Sequence, residues 1–225
     1  IEASDGELSS FKLLNVTVVD VNDVRPKFVQ REYTAYVFEN VTGQVELAQV
    51  TAVDKDSGVR GTVSYSIVGG DDADPRFEVD SVTGVVSTSG AGLDRERRAV
   101  YNLTVEAFDG GSPRLSDFGF VVVYVRDVND NPPDFGAAVL EGNTLPEDSK
   151  AGAFVTRANA TEADATGKPW STIRYSLIAG STDIFEVDPV TADVFLAKNN
   201  SLDYEGQALH TVTVMAEDSG TPPLN

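Results

Sequence analysis

An internal repeat constrains this chain more than any other feature of its sequence. Four short motifs each occur twice, and the two copies of every motif lie about 108 residues apart. The paired segments are residues 20–23 and 127–130, 38–40 and 146–148, 63–66 and 173–176, and 93–96 and 202–205. Four motifs that share one period indicate tandem copies of a single folding unit.

Within each period, short runs of β-branched and aromatic residues alternate with clusters of Gly, Pro, Asn and Asp. Residues 101–107 show the pattern most clearly, because every second residue is apolar and the residues between them are polar or charged. Such alternation places one row of side chains in a core and the other in water, as in a β-strand. Turn signals such as Gly69 with Gly70, and Thr83 with Gly84, separate the runs. The sequence therefore predicts an all-β chain of β-sandwich units.

The charge balance limits the possible partners. Acidic residues outnumber basic ones by 36 to 17, and the formal net charge is -19. This argues against nucleic acid, because phosphate backbones require clusters of Lys and Arg. The chain has no cysteine and one histidine, so thiol catalysis, disulfides and zinc–thiolate sites are excluded, and softer metals lack their preferred ligands. Cations bound by oxygen atoms are the partners that this composition favours.

The 225 residues give room for about two domains but contain no run long enough to span a membrane. The longest apolar run, residues 120–125, has the length of a strand. We therefore expect this fragment to be soluble and any membrane anchor to lie outside it. Five Asn-x-Ser/Thr triplets are candidate N-glycosylation sites, at Asn15, Asn40, Asn102, Asn159 and Asn199.

The acidic motifs resemble those of cadherin extracellular repeats over essentially the whole chain. Glu39 resembles the ligand at the end of the first strand, and residues 93–96 the Leu-Asp-Arg-Glu motif. Residues 54–56 resemble the Asp-x-Asp motif, and residues 127–133 the linker between repeats. An Ala-x-Asp motif occurs three times, ending at Asp5, Asp109 and Asp218. Together and in register, these motifs are similar to those of an internal fragment of a larger cadherin ectodomain.

The resemblance implies tandem Greek-key, immunoglobulin-like β-sandwich repeats joined by calcium-binding linkers. On this basis residues 1–23 are the last strand and linker of a preceding repeat, residues 24–130 a complete repeat, and residues 131–225 a repeat that lacks its last strand. The implied function is calcium-dependent cell–cell adhesion, as a Ca²⁺-rigidified ectodomain segment of a single-pass protein on the extracellular side of the cell membrane. The implied partners are calcium ions and a cadherin ectodomain, homophilic or heterophilic, through repeats mostly outside this fragment. The alternative is heterophilic recognition, or a tension-bearing or signalling segment of a non-classical cadherin.

The resemblance also assigns calcium ligands after the 24–130 repeat, where the family places three ions. The implied sets are Asp94, Glu96, Glu39 and Asp130 for the first ion, Glu39, Glu96, Asp127, Asp130 and Asp164 for the second, and Asp164, Asn129, Glu162, Asp218 and the carbonyl of Asn131 for the third. Unpaired carboxylates about 5 Å apart repel by roughly 3 kcal/mol per pair at an effective dielectric constant near 20. Such a set is therefore expected to require cations.

One intact ion site is expected at the preceding linker, because the other ligands would precede residue 1. The implied ligands are Asn22, Asp54, Asp56, Asp109 and the carbonyl of Val24, with a reduced contribution from Asp20 and Asp23. Glu162 stands where the 24–130 repeat has Asp54, and its longer side chain is expected to alter the affinity of the third-ion site. Glu147, Asp203 and Glu205 resemble ligands of a further linker and are expected to be underemployed here.

Simpler structural roles compete with these assignments. A lone Asp or Asn often caps a turn by binding nearby backbone amides, but eight carboxylates in register favour metal binding. We interpret Trp170, in an irregular insertion after Asp164, as a local packing residue, and His210 as structural. Paired acids such as Asp94 and Glu96 also occur in glycosidases. Because the same acids recur in both repeats with amide and carbonyl partners, we interpret the chain as not an enzyme.

Overall fold

The structure, a computed structural model, describes residues 1–4, 6–70, 76–199 and 201–225, so that Asp5 lies outside the described residues. Within these ranges the chain forms β-strands and two short 3-10 helices, Gly58–Gly61 and Pro169–Ser171. No helix in this part of the chain combines the length and the apolar character needed to cross a bilayer. The strands are β1 (Glu2–Ser4), β2 (Ser9–Phe11), β3 (Lys27–Phe28), β4 (Glu32–Phe38), β5 (Glu46–Gln49), β6 (Ala52–Val53), β7 (Ser64–Gly70), β8 (Phe77–Val79), β9 (Val85–Thr88), β10 (Val100–Phe108), β11 (Ser116–Arg126), β12 (Phe154–Arg157), β13 (Arg174–Gly180), β14 (Phe185–Val187), β15 (Asp193–Leu196) and β16 (Val212–Glu217).

The described residues divide into two compact units. Unit 1 comprises Ile1–Val37, Val41–Leu93 and Val100–Val125, and unit 2 comprises Phe38–Asn40, Asp94–Ala99 and Arg126–Asn225. Glu39 and the acids of residues 93–96 therefore belong to unit 2, together with the linker acids from Asp127 onward. The three-part division at residues 23 and 130 stays a prediction.

Unit 1 is built from β-sheets of four, three and two strands. Their orders are β4-β11-β10-β7, β5-β9-β8 and β3-β6, and β1 pairs with β2 in a separate hairpin. In β10 the expected alternation is present, since Leu103, Val105 and Ala107 are fully buried while Asn102 is exposed. Leu103 lies opposite the equally buried Val121 of β11. The apolar row of β10 thus forms the centre of the core, and the predicted all-β fold is confirmed.

Unit 2 repeats the same design with fewer strands. Its sheets have the orders β12-β15-β14 and β13-β16. In β13 and β16, Tyr175 lies opposite Ala216, as Tyr65 of β7 lies opposite Ala107 of β10 in unit 1. The internal repeat of the sequence is therefore also a repeat of strand register.

A buried tyrosine fixes the segment that carries the Asp-x-Asp motif in each repeat. The hydroxyl of Tyr65 accepts a hydrogen bond from the N–H of Ala52 at 2.9 Å, and that of Tyr175 accepts one from the N–H of Ala160 at 3.0 Å. Both alanines lie two residues before the first acid of the motif. The core of each repeat thus positions its candidate ligands.

Candidate metal centre

Unit 2 brings together three carboxylates from two separate loops. Glu162, Asp164 and Asp218 each place one oxygen within 4.8 Å of the others. Asp218 follows the last residue of β16, whereas the other two acids follow the segment that Tyr175 holds. The amide of Asn129 lies beside Asp218 at Gly220 and donates to the carbonyl of Pro222 at 3.4 Å, and with the three acids it forms a set that we call the Asp218 cluster.

Two acids of the Asp218 cluster use one oxygen to hold their own loop. Oδ1 of Asp218 accepts the N–H of Gly220 at 2.8 Å, and Oε1 of Glu162 accepts the N–H of Asp164 at 3.2 Å, in each case two residues on. In unit 1, Asp54 uses Oδ1 in the same way toward a following N–H, at 2.9 Å. Glu162 therefore takes the loop-holding role of the shorter Asp54, despite its longer side chain.

A further oxygen of each residue in the cluster is buried and has no hydrogen-bond partner in the described part of the chain. These atoms are Glu162 Oε2, Asp164 Oδ2, Asp218 Oδ2 and Asn129 Oδ1. Burial, which removes water from the charged form, raises the pKa of Glu162 and of Asp164 above their ordinary values. Unsatisfied buried acceptors are costly, and four of them in one cluster are what a bound cation would satisfy.

In unit 1 the residues at the equivalent repeat positions are Asn22, Asp54, Asp56 and Asp109, but their three acids do not form one of the carboxylate groups found among the described residues. The amide of Asn22 donates to Oδ2 of Asp109 at 3.1 Å, and Asn22 Oδ1 and Asp54 Oδ2 are buried without a partner among the described residues. Burial raises the pKa of Asp109, but two loop N–H groups and the Asn22 amide outweigh it, so that the pKa is lowered. The orphaned amide and carboxylate oxygens match those of the Asp218 cluster.

Asp20, Asp23 and Asp56 contribute no orphaned oxygen in unit 1 among the described residues. Oδ2 of Asp20 accepts both the N–H and the hydroxyl of Ser57, at 2.9 and 3.0 Å, and these bonds lower the pKa of Asp20. Asp23 is exposed. Oδ2 of Asp56 accepts the N–H of Val24 at 3.2 Å, so that this acid contacts the linker backbone directly.

A second carboxylate group in unit 2, the Glu39 cluster, consists of Glu39, Glu96 and Asp127, with one oxygen of each within 4.8 Å of the others. Glu39 is only 2% exposed. Its Oε1 accepts the N–H of Val128 and its Oε2 the N–H of Arg95, both at 2.8 Å. Burial raises the pKa of Glu39, and the neighbouring Glu96 adds to the shift. Two backbone amides thus fix a carboxylate whose charge is unfavourable where it lies.

Arg95 places a cation inside the Glu39 cluster. Its guanidinium contacts the carboxylates of Glu96 and Asp127, and it also donates to the carbonyl of Ala163 at 3.1 Å. The side chain of Arg95 is 18% exposed. Sequence reasoning missed this role, because the Leu-Asp-Arg-Glu motif was considered only for its acids.

Trp170 is a second functional residue that sequence reasoning missed. Its indole N–H donates to Oδ2 of Asp127 at 2.7 Å, while the N–H of Ala165 donates to Oδ1 at 3.0 Å. The sequence predicts only local packing for Trp170, and this hydrogen bond is a further contact. The signal in the sequence was the position of Trp170 in the insertion that follows Asp164.

Other predicted ligands connect the two clusters or lie apart from them. Glu96, Asp130 and Asp164 form a further group within 4.8 Å, and the amide of Asn131 donates to Asp130 at 2.7 Å and to Asp164 at 2.9 Å. Asp94 is in none of the carboxylate groups found among the described residues. Its Oδ1 accepts a backbone N–H three residues on, at 2.8 Å, so that it caps a turn.

The carboxylates of Glu147, Asp203 and Glu205 form an exposed set, which we call the Glu147 triad. Their oxygens also lie within 4.8 Å of one another, and the N–H of Tyr204 donates to Glu147 at 3.2 Å. Tyr204 stands at the position of Arg95 in the repeat. Its members stand at the repeat positions of Glu39, Asp94 and Glu96, so that the triad includes the counterpart of Asp94 and differs in composition from the Glu39 cluster.

The donor chemistry of these clusters fits a hard divalent cation. Every candidate ligand is a carboxylate, amide or carbonyl oxygen, and the chain has no cysteine. Ca²⁺ takes six to eight oxygen ligands and tolerates irregular geometry. The acidic groups can therefore form metal sites, and the orphaned oxygens of the Asp218 cluster fit Ca²⁺ in kind.

Comparison with known proteins identifies the family. A family model described as "Cadherin domain" matches residues 33–126 and 143–225. The chain belongs to the cadherin family. Among similar proteins, the Fat-like cadherin-related tumor suppressor homolog of Drosophila melanogaster is 33% identical over 225 residues, which is 100% of this chain and 5% of that protein. Chicken (Gallus gallus) Cadherin-1 is 35% identical over 90% of this chain and 24% of its own length. This cadherin chain thus spans a quarter or less of each of these two relatives.

Solved cadherin structures share the architecture. Mouse Cadherin-23 EC22-24 matches with a TM-score of 0.81 and 33% identity, covering 92% of this chain and 63% of that one. Protocadherin Gamma B2 extracellular cadherin domains 3-6 match with a TM-score of 0.70 and 32% identity, covering 96% and 54%. The Greek-key, immunoglobulin-like sandwich implied by the motifs is therefore confirmed.

The five predicted glycosylation sites of this cadherin fragment are all exposed asparagines: Asn15, Asn40, Asn102, Asn159 and Asn199. Asn40 differs from the rest, because it has a positive φ of 57° and its amide donates to Asp130. Glycosylation at these positions stays a prediction.

Proposed function

We propose that this chain is a calcium-dependent adhesion segment of a single-pass cadherin-family membrane protein, on the extracellular side of the cell membrane. The observation that carries the proposal is the set of buried, unpartnered oxygens in the Asp218 cluster. The corresponding set in unit 1 repeats it with Asn22 Oδ1 and Asp54 Oδ2. A device that occurs twice at equivalent positions of a repeat is structural rather than catalytic.

Three sets of residues would hold calcium in unit 2. The Asp218 cluster offers carboxylates and the amide oxygen of Asn129, the Glu39 cluster offers three further carboxylates, and Asp130 with Asp164 connects the two. When bound, Ca²⁺ supplies two positive charges and six to eight coordination positions. Without cations, carboxylates about 5 Å apart repel by roughly 3 kcal/mol per pair at an effective dielectric constant near 20. We therefore assign to calcium the role of holding the linker rigid.

The proposal is tested on the 225-residue chain by calcium titration calorimetry and by small-angle X-ray scattering with and without EDTA. We expect calcium to bind and EDTA to change the maximum dimension. Asp164→Asn should weaken binding, because Asp164 is 2% exposed and belongs to two carboxylate groups. Asp183→Asn, at an exposed acid outside every such group, serves as the matched control. Calorimetry without binding heat, or identical scattering in both buffers, would rule out the proposal.

The partner is proposed to be a cadherin ectodomain, bound through repeats mostly outside this fragment. The alternative, a recognition surface on the insertion at residues 165–170, is less favoured by the geometry. Ala165 and Trp170, the two ends of this insertion, both donate to Asp127. The insertion is therefore committed to the metal centre of its own repeat.

A further inference from the structure

We propose that Trp170 is a positioning residue of the metal centre, whose indole N–H orients the carboxylate of Asp127 for calcium. This inference rests on the calcium binding proposed above. It is carried by a comparison between the two copies of the linker aspartate, Asp20 and Asp127, within their own units.

The two repeats supply the same pair of donors in different ways. In unit 1, one residue provides both, since Oδ2 of Asp20 accepts the N–H of Ser57 at 2.9 Å and its hydroxyl at 3.0 Å. In unit 2 the equivalent residue is Ala165, whose N–H donates to Asp127 at 3.0 Å but which has no hydroxyl. The indole of Trp170 donates instead, at 2.7 Å. Trp170 therefore supplies the second donor that Ala165 lacks.

The insertion delivers this donor. The segment between the second acid of the motif and the core tyrosine is two residues longer in the 131–225 repeat than in the 24–130 repeat. Within it the hydroxyl of Ser171 donates to the carbonyl of Lys168 at 2.8 Å and accepts the N–H of Gly167 at 3.1 Å. The 3-10 helix Pro169–Ser171 follows directly on Lys168. A loop closed on itself in this way presents Trp170 from a defined backbone.

The environment of Asp127 makes its orientation depend on the hydrogen bond from Trp170. Its side chain is 2% exposed, so that water contributes little to its orientation. Arg95 and the N–H of Ala165 both contact Oδ1, whereas the indole N–H of Trp170 contacts Oδ2. Donors behind a metal-binding carboxylate fix its orientation, and their loss typically weakens metal binding by roughly 10- to 100-fold. Trp170 thus restricts rotation of the Asp127 carboxylate about the Cβ–Cγ bond.

The test uses three versions of the 225-residue chain: wild type, Trp170→Phe, and the double variant Trp170→Phe with Ala165→Ser. Phenylalanine keeps an aromatic ring but has no N–H, and a serine at position 165 restores the donor that unit 1 uses. Calcium affinity is measured by competition with a chromophoric chelator, and the thermal midpoint is measured in EDTA. We expect the single variant to bind roughly tenfold more weakly in one binding step. The double variant should recover to within about threefold of wild type.

The outcomes separate this inference from the proposed function. If wild type binds no calcium, the proposed function fails and the inference fails with it. If wild type binds calcium and Trp170→Phe binds equally well, only the inference is overturned. If Trp170→Phe lowers both the affinity and the thermal midpoint in EDTA, and Ala165→Ser restores neither, Trp170 acts through packing and the positioning role is also overturned. Recovery of affinity with the added hydroxyl supports it, because packing of an aromatic ring is not restored by serine.

Discussion

Glu39→Gln is the substitution that best separates the fold of unit 2 from its calcium chemistry. Glutamine has nearly the same shape as glutamate but carries no charge. Both oxygens of Glu39 accept backbone N–H groups at 2.8 Å, from Arg95 and Val128. Its carboxylate also lies within 4.8 Å of oxygens of Glu96 and Asp127. The substitution therefore removes a hydrogen bond and a set of charge interactions together.

In EDTA these effects are expected to offset each other. An amide can accept only one of the two N–H groups, so that one charge-assisted bond worth about 1.5–3 kcal/mol is lost. Two repulsions of roughly 3 kcal/mol each also disappear, together with one attraction to Arg95 of about the same size. The net relief of repulsion is then about 3 kcal/mol. The free energy of unfolding should change by less than about 2 kcal/mol.

In calcium the result should differ, because glutamine is a weaker ligand than a carboxylate. Calcium at a thousandfold excess over its Kd stabilises a protein by about 4.1 kcal/mol, and a hundredfold weaker Kd leaves about 1.4 kcal/mol. For a unit of this size, a loss of about 2.7 kcal/mol lowers the calcium-induced rise in Tm by 10 °C or more. Calorimetric melting in EDTA and in calcium measures both quantities.

Glu106→Gln is the matched control for this experiment. Glu106 pairs with the half-exposed Arg114 at 3.1 Å and belongs to none of the carboxylate groups among the described residues. Its variant should show the calcium-induced rise in Tm of the wild type, since loss of the ion pair with Arg114 lowers Tm equally with and without calcium. Equal rises in Tm for wild type and Glu39→Gln would refute the assignment of Glu39 as a ligand.

Three further outcomes follow from the fold. Gly84→Ala should lower the free energy of unfolding by about 1–2 kcal/mol, because φ is +72° and the added methyl must shift away from the carbonyl oxygen of Val50; an unchanged denaturation curve would contradict this. Leu103→Ala, at a fully buried side chain, should cost about 2–5 kcal/mol in the same assay, and a cost below about 1 kcal/mol would be inconsistent with its place in the core. NMR titration should give Asp80 and Asp188 pKa values below 3.8. The charged form of each accepts hydrogen bonds from backbone N–H groups of its turn, and the N–H three residues later has the largest effect. Each then contributes stability that is present above the unfolded value and is lost as pH falls through the lower folded pKa; values at or above 3.8 would disprove the turn geometry.

The sequence was sufficient for the fold and for most of the acids that meet in unit 2. Alternation of apolar and polar residues predicts the strands, as in β10. The acidic motifs come directly after strands that pair in the same register in both repeats. Asp218 and Asp164 come together because each lies just beyond a segment fixed by the core pair of Tyr175 and Ala216. A pattern that recurs at one period specifies such positions without any knowledge of side-chain contacts.

The donors around those acids could not be predicted in the same way. Arg95 and Trp170 act through single long side chains, whose direction depends on rotamers and on loop closure rather than on periodicity. Asp94 belongs to the same motif as Glu96, yet it caps a turn instead of joining a carboxylate group. Ala192 adopts φ of 63° where the other repeat has Gly84, so that no glycine marks that turn in the sequence.

The Glu147 triad shows how an array of such units can grow. Three acids from two separate segments of one unit are brought together by that unit's own fold, on its exposed surface. Under the calcium binding proposed above, each repeat therefore carries a preassembled set of ligands. A longer array of such repeats then requires no new ligand chemistry. The repeats can then differ in the residues that donate hydrogen bonds to the acids, as Ser57 and Trp170 do, while the acids keep their positions.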